Sequence, residues 1–455
     1  MKNHLLIFSD FLILNELVYP KELIMLRQSE RKTVLHCNLG TAFYSVCCNP
    51  GAMVILHTPR ACSHLALGGY WATRRRAFLR DPDIRLPRSN QLFVTGISDK
   101  HAIFGGEALL RKCLSDVSKQ KETKYIIVVA GCTAGVIGDD VKTICETAEE
   151  ETGIPVILVP GAGFMSSHHV QTQVDLLDIL LQRFSPPGKK ATKEKLAVIF
   201  GENRGTANEL NIKEMHRLLR YFGFTKILFP PNAMSLEDFA SVPDASLFLS
   251  VGFSHDHFKI MQDFTEKMSL RYHAPVYTEN YPIGKVSVMN FLRNIGQLLG
   301  EEKAAEEAVK KEEEMIARWL SDDFSSLRNK KFVCVLGFPR RYCKIENHLR
   351  TLKAAGLHAS AIILHNDITS AEKEEHKKML SQMDDLADIP IFEGEQNVEK
   401  WIGKTDMFLS TTALVDVPHQ LCLSVQQVGS SGIYNLLRKT KSTIEGRGRR
   451  ITYEY

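Results

Sequence analysis

The 455-residue chain contains no GxxxxGK[ST] stretch, so it carries no P-loop of its own and is not expected to hydrolyse ATP by that route. It also lacks any uninterrupted apolar run of roughly eighteen residues, which argues against a membrane-spanning helix. Its ten cysteines have neither the density nor the short regular spacing of a secreted disulfide scaffold. Reduced thiols or metal ligands in a cytoplasmic protein are expected instead. A net charge of +4 is too small to argue for nucleic acid as a partner. The apolar opening, Met1 to Tyr19, includes Asp10, Asn15 and Glu16 and shows no small-residue cleavage pattern, so no signal peptide is expected. What is present is an ordinary globular composition, 44% apolar and 24% charged, in a chain long enough for two or three domains.

The stretch around which the chain is organised runs from Lys124 to Val141. An apolar run, Tyr125 to Ala130, stops at Gly131, Cys132 follows at once, and Asp139-Asp140 opens a helix. The run fits a parallel strand covered on both faces. Gly131, Gly135 and Gly138 permit a sharp turn or a close approach, and the acidic pair suits the positive end of the helix that follows. Cys132 therefore lies at a strand's carboxyl end, near helix amides that favour a thiolate. Two readings of it stand open: a small buried thiol, or a ligand of a metal cluster.

The same pattern recurs. After the strand at 125–130 come a helix from Val141 to Thr152 and a second run, Gly153 to Val159. Leu196 to Gly201, a helix through Met215 to Arg220, and Phe222 to Phe229 repeat it, as do Phe332 to Gly337, a helix through Leu349 to Leu352, and Ala355 to Leu364. Each reads as a parallel βαβ unit with a right-handed crossover. The expected fold is α/β, three doubly wound Rossmann-like domains with mainly parallel sheets, at 1–190, 191–325 and 326–455. A Pro/Gly/Lys linker from Phe184 to Lys195 marks the first boundary. The Glu/Lys/Ala-rich segment 301–331, with Ile316, Trp319 and Leu320 on one face, predicts a long connecting helix whose charges are solvated. The last domain closes near Gly429 to Leu437, and Arg447 to Arg450 form a basic tail.

In such sheets ligands bind outside the carboxyl ends of the strands. Cys62 follows a strand-like run, Ala52 to His57, and the turn Thr58-Pro59-Arg60-Ala61, which repeats the placement of Cys132. Cys37 and Cys62 precede Cys132, with separations of 25 and then 70 residues. Three thiolates from three loops could hold one iron–sulfur cluster, a partner supplying the rest, or they could be unrelated structural cysteines. Adjacent Cys47 and Cys48 cannot easily both face one site. Arg74-Arg75-Arg76 suits an anion or an acidic partner, or equally a salt-bridged turn. His168-His169 and His255-Asp256-His257 are metal-ligand candidates against the commoner reading of unliganded loop histidines. Gly105-Gly106-Glu107 opens the helix leading to Cys113 and reads as structural.

Three motifs together resemble the nitrogenase component-one superfamily, which includes nitrogenase subunits, cofactor-scaffold relatives and the dark-operative protochlorophyllide reductases. His57-Thr-Pro-Arg-Ala-Cys62 is similar to its His-Gly-Pro-x-Gly-Cys. Thr95 through Phe104-Gly105-Gly106 is similar to its Thr-x-Leu-x-Glu-x-Asp-x-Val-Phe-Gly-Gly, and Cys132 through Ile137-Gly138-Asp139-Asp140 to its Cys-x-x-x-x-Ile-Gly-Asp-Asp. The resemblance implies that Cys37, Cys62 and Cys132 are this subunit's ligands to an iron–sulfur cluster, [4Fe-4S] or P-cluster-like, shared with a second homologous subunit in a heterotetramer or homodimer. It also implies an ATP-hydrolysing iron–sulfur reductase as electron donor, which fits the missing P-loop.

The departures matter too. Catalytic nitrogenase subunits anchor their iron–molybdenum cofactor by a cysteine at a strand end in the second domain, whereas this chain has no cysteine between Cys145 and Cys334. Arg60 and Ala61, in place of the usual small residues before Cys62, change the wall of the cluster site. The resemblance therefore implies a nitrogenase-like oxidoreductase subunit that does not reduce dinitrogen by itself, or a non-enzymatic scaffold for assembling a nitrogenase-type cofactor. An unrelated doubly wound binding or glycosyl-transfer module with incidental cysteines is the third reading.

Overall fold

The structure is a computed structural model that describes residues 38–80, 92–159, 169–188, 194–202, 209–252, 255–337, 345–412, 414, 417–423, 428–446 and 451–454. Cys37, His168 and the basic tail at 447–450 lie outside the described residues.

Helix α1 (Asn38–Val46) leads through residues 47–51 into β1 (Ala52–His57), followed by α2 (Arg60–Arg80) and β2 (Leu92–Val94). Then come α3 (Asp99–Phe104), α4 (Glu107–Ser118), β3 (Tyr125–Ala130), α5 (Cys132–Ile137), α6 (Val141–Thr152), β4 (Val156–Val159) and α7 (His169–Phe184). The sheet order is β2-β1-β3-β4 and every pairing is parallel. Strand β1 is buried along its whole length, and β3 to its last residue, as a sheet covered by helices on both faces requires. The chain runs outward from β1 to β2 and then crosses to β3 on the other side. The carboxyl ends of β1 and β3 are therefore the topological switch point, where a crevice opens between crossovers leaving in opposite directions.

A second sheet follows: β5 (Lys195–Phe200), α8 (Glu209–Leu219), β6 (Phe224–Leu228), α9 (Leu236–Ser241), β7 (Leu247–Ser250), α10 (His255–Tyr272) and β8 (Val276–Tyr277), in the parallel order β6-β5-β7-β8. Helices α11 (Lys285–Leu299) and α12 (Glu302–Arg318) lead to the third. That part comprises β9 (Lys331–Leu336), α13 (Ile345–Ala354), β10 (His358–Leu364), α14 (Ser370–Ser381), β11 (Ile391–Glu393), β12 (Met407–Ser410), β13 (Gln420–Leu423), α15 (Gly429–Ile444) and β14 (Ile451–Glu454). Its six strands, all parallel, run β11-β10-β9-β12-β13-β14. The fold class is the expected one: α/β, doubly wound, with parallel sheets.

One apolar core runs from the second sheet into the third, and another from the first into the second. Buried Asn49 joins the first two: its Nδ2 donates to Tyr125 Oη (3.2 Å) and its Oδ1 accepts from Met234 N (3.1 Å). The connecting helix departs from expectation. Ile316 is buried as its spacing requires, but Glu312 is buried as well, and the charges of α12 are not all solvated. Arg217 of α8 donates to both Glu312 and Glu214, Tyr221 donates to Glu312 (2.6 Å), and Ser431 N donates to Glu214 (3.1 Å). Helix α12 is thus held to α8, and α8 to α15, through one buried ionic cluster. Nothing in the local sequence distinguishes Glu312 from its exposed neighbours.

Candidate functional site

The first sheet's switch point gathers two of the three singled-out cysteines. Strand β1 ends at His57, whose register partner is Ala130, the last residue of β3. Beyond the paired ends the chain turns at once on both sides. Cys62 lies in the first turn of α2, its N–H donating to Pro59 O (3.2 Å), and Cys132 is the first residue of α5. Both thiols are free and half-buried. Two backbone ends can approach this closely because residue 131 is glycine: a Cβ there would sit 2.6 Å from Thr58 Oγ1. Asn38, the residue after Cys37, opens α1. That helix packs on β1 and β3 and is linked to β1 by so short a turn that the two run antiparallel. The amino end of α1 accordingly lies at the same edge of the sheet as Cys62 and Cys132.

A buried polar network fixes the loops around these cysteines. His57 Nε2 lies 2.9 Å from Asp139 Oδ2, and His57 Nδ1 lies 2.9 Å from Thr95 Oγ1. The other Asp139 oxygen accepts from Gly106 N (2.8 Å). A carboxylate can only accept, so Nε2 carries the proton, and Nδ1 accepts from the threonine hydroxyl. One neutral tautomer satisfies every member. Burial pushes the His57 ring below its ordinary value, and the carboxylate's hydrogen bond and charge offset this in part, so the residue is neutral at physiological pH. Asp140 caps α6 by accepting from Thr143 N (3.2 Å), and its own N–H donates to Glu107 (3.2 Å). The acidic pair thus divides its work: Asp140 holds the helix start, and Asp139 turns inward to tie the loop after β3 to β1 and α4.

The family model described as nitrogenase component 1 type oxidoreductase matches residues 37–423. The chain belongs to that family. It is 28% identical to the nitrogenase iron-molybdenum cofactor biosynthesis protein NifE of Clostridium pasteurianum over 249 residues, which cover 54% of this chain and 52% of that protein. It is 24% identical to the nitrogenase molybdenum-iron protein alpha chain of Methanothermobacter thermautotrophicus over 432 residues, covering 86% and 84%. The chain therefore spans about half the length of some curated relatives and most of others. The structure described as nitrogenase Cp1 at pH 5 superposes over 91% of this chain and 89% of that one, with a TM-score of 0.61 at 19% identity, which shows the shared fold.

Within this component 1 type chain the remaining candidates separate. Cys145 packs in the apolar layer between α4 and α6, with half-buried Cys113 against it, and burial pushes their thiols up, to about 12 and about 11. Cys334 is driven higher still by complete burial. These are inert core thiols. Cys47 is core and Cys48 half-buried beside Tyr70, so the adjacent pair does not share one site. Arg74, Arg75 and Arg76 lie on α2, their side chains outside the described residues. His255 opens α10 and His257 is buried, with Nε2 3.4 Å from Gln173 Oε1; His169 opens α7. Among the described residues no three His, Cys, Asp or Glu side chains converge as a metal site. Arg60 and Ala61 are exposed, and Arg60 lies along Gly96. At the carboxyl edge of the second sheet β7 ends at Ser250, and a Cβ on Gly252 would meet the Phe258 backbone at 2.5 Å. That edge carries no thiol and has no room for one at residue 252. No described helix is long and apolar enough to cross a membrane.

Proposed function

We propose that Cys37, Cys62 and Cys132 are this chain's ligands to an iron–sulfur cluster shared with a second homologous subunit, and that the protein relays electrons through it as a nitrogenase-like oxidoreductase subunit of the cytoplasm. The observation that carries this reading is the emergence of Cys62 and Cys132 from paired strand ends at one switch point, held there by the His57–Asp139 network. The donor chemistry fits the group: thiolates are the usual ligands of such clusters, and two free, half-buried thiols stand at one edge. When bound, the cluster would supply one-electron chemistry. The chain's own part is to fix the two cysteine loops and to keep an ionisable ring beside them neutral.

The cysteine edge is also apolar toward solvent, which supports a covering partner. Leu65 is 79% exposed three residues beyond Cys62, and Val136 is 67% exposed four residues beyond Cys132, so each shares a helix face with its cysteine. Ile103 and Phe104, 76% and 79% exposed, end α3, which packs on α5. Exposed apolar groups concentrated around one edge mark an interaction surface. The partners proposed are the second subunit, in a heterotetramer or homodimer, and an ATP-hydrolysing iron–sulfur reductase. On this reading the domains divide at 1–190, 191–325 and 326–455.

A second reading, a scaffold for assembling a nitrogenase-type cofactor, is favoured by the NifE relatives and by the thiol-free second sheet edge. One experiment separates them. The anaerobically purified complex is mixed with an iron–sulfur reductase and ATP, and cluster reduction and product formation are followed together. Repeated reduction with turnover supports the relay, and a cluster that passes intact to an acceptor protein without turnover supports the scaffold. A protein without iron contradicts both.

A further inference from the structure

We propose that the hydroxyl of Thr58 donates a hydrogen bond to a sulfur of the cluster at the switch point, thiolate or sulfide, and so raises the cluster's reduction potential. The inference rests on the cluster reading above. Thr58 is fully buried, and its Oγ1 has no hydrogen-bond partner among the described residues. Its backbone oxygen, by contrast, accepts from both Gly96 N and Ile97 N (3.2 Å each). An orphaned buried hydroxyl costs about 1–3 kcal/mol, and valine would fill the same space without that cost.

The other polar side chains of the turn are accounted for. Both ring nitrogens of His57 are engaged, Ser63 Oγ donates to Arg60 O (2.7 Å), and Arg60 is exposed. Thr58 alone keeps an unspent donor, and its place is the wall between the two cysteine loops. It stands four residues before Cys62, with Oγ1 against the α-carbon of Gly131, the residue before Cys132. The resembling motif has glycine at this position, so the hydroxyl is an addition in this chain, accommodated by Gly131 opposite. A hydroxyl dipole pointing at sulfur favours the more negative, reduced form of a cluster. Thr58 is in this sense a positioning residue that tunes the cluster without ligating it.

The test uses the anaerobically isolated holo-complex and the variants Thr58→Val and Thr58→Ser, with redox titration monitored by electron paramagnetic resonance. Thr58→Val is expected to keep its iron and shift the midpoint potential to a more negative value, and Thr58→Ser to restore it toward wild type. In the wild-type protein, transferred to deuterated buffer, an exchangeable hydrogen coupled to the cluster is expected and is absent in the valine variant. An unchanged potential at full iron content overturns the Thr58 assignment and leaves the cluster reading standing. Should the valine variant fail to fold or to retain iron, the wild-type exchange signal decides: its absence overturns the assignment. A wild-type protein without iron overturns both.

Discussion

Replacing Asp139 by alanine tests the network on which the cysteine loops depend. The side chain is 2% exposed and accepts two hydrogen bonds, from His57 Nε2 and Gly106 N, both buried donors. Each bond to a charged acceptor is worth about 1.5–3 kcal/mol, and alanine leaves both donors orphaned. We expect a loss of about 4 kcal/mol, a large share of the roughly 5–15 kcal/mol typical of a folded protein. Asp139→Asn should cost only about 1 kcal/mol. The amide oxygen still accepts from Gly106, and a tautomer switch lets His57 Nε2 accept from the amide while Nδ1–H donates to Thr95. The assay is urea denaturation followed by circular dichroism at neutral pH, with the stability change taken from the midpoint shift at constant slope. The histidine also gives the wild type a pH signature. Its folded value lies below its ordinary 6.5, so the unfolded chain takes up the proton more readily. The His57 contribution is complete above 6.5 and is lost as pH falls below it toward the depressed folded value. In the alanine variant, burial acts without the carboxylate's offset, and the acid loss should extend to lower pH. An alanine variant within about 0.5 kcal/mol of wild type, or an asparagine variant as damaged as alanine, would refute the reasoning.

Other expectations follow from the packing. Arg217→Met leaves Glu214 and Glu312 without their shared cation; since the guanidinium is 34% exposed, the loss should fall near the low end for a broken buried ion pair, about 3 kcal/mol. Burial alone would raise the Glu312 carboxyl, and Arg217 and Tyr221 hold it below its ordinary value, so without Arg217 the acid becomes easier to protonate and the deficit in urea midpoint should shrink as pH falls. Gly131→Ala drives a methyl into Thr58, 2.6 Å from Oγ1 and 2.9 Å from Cβ, and should cost about 1–3 kcal/mol in thermal unfolding. Adding Thr58→Ala removes the hydroxyl but not the Cβ, so a double-mutant cycle should show partial recovery; simple additivity would place the strain elsewhere.

The sequence revealed most where a single local signal was strong. The strands at 52–57 and 125–130 stand out because apolar runs end abruptly at a turn, and both occur with those limits. Cys62 and Cys132 could be placed at strand ends because the residues between strand and helix are few. The His57–Asp139 bond could not be read, since its partners are 82 residues apart and histidine and aspartate are common in loops. What could have suggested it is that each belongs to one of the three resembling motifs. Glu312 was misread as solvated because its partner Arg217 is 95 residues away and the helical pattern around it is that of an exposed face. His257 looked like a strand-end ligand candidate, but α10 already begins at His255 and carries it inward.

The most direct test of the cluster assignment is quantitative. Iron and acid-labile sulfide are measured per chain in the anaerobically purified complex, for wild type and for Cys37→Ala, Cys62→Ala and Cys132→Ala, with Cys113→Ala as a control for a core thiol. The account predicts iron and sulfide in the wild type and the Cys113 variant, and loss or conversion of the cluster signal in each of the other three. Iron-free wild-type protein, or a full cluster signal in all three ligand variants, would contradict it.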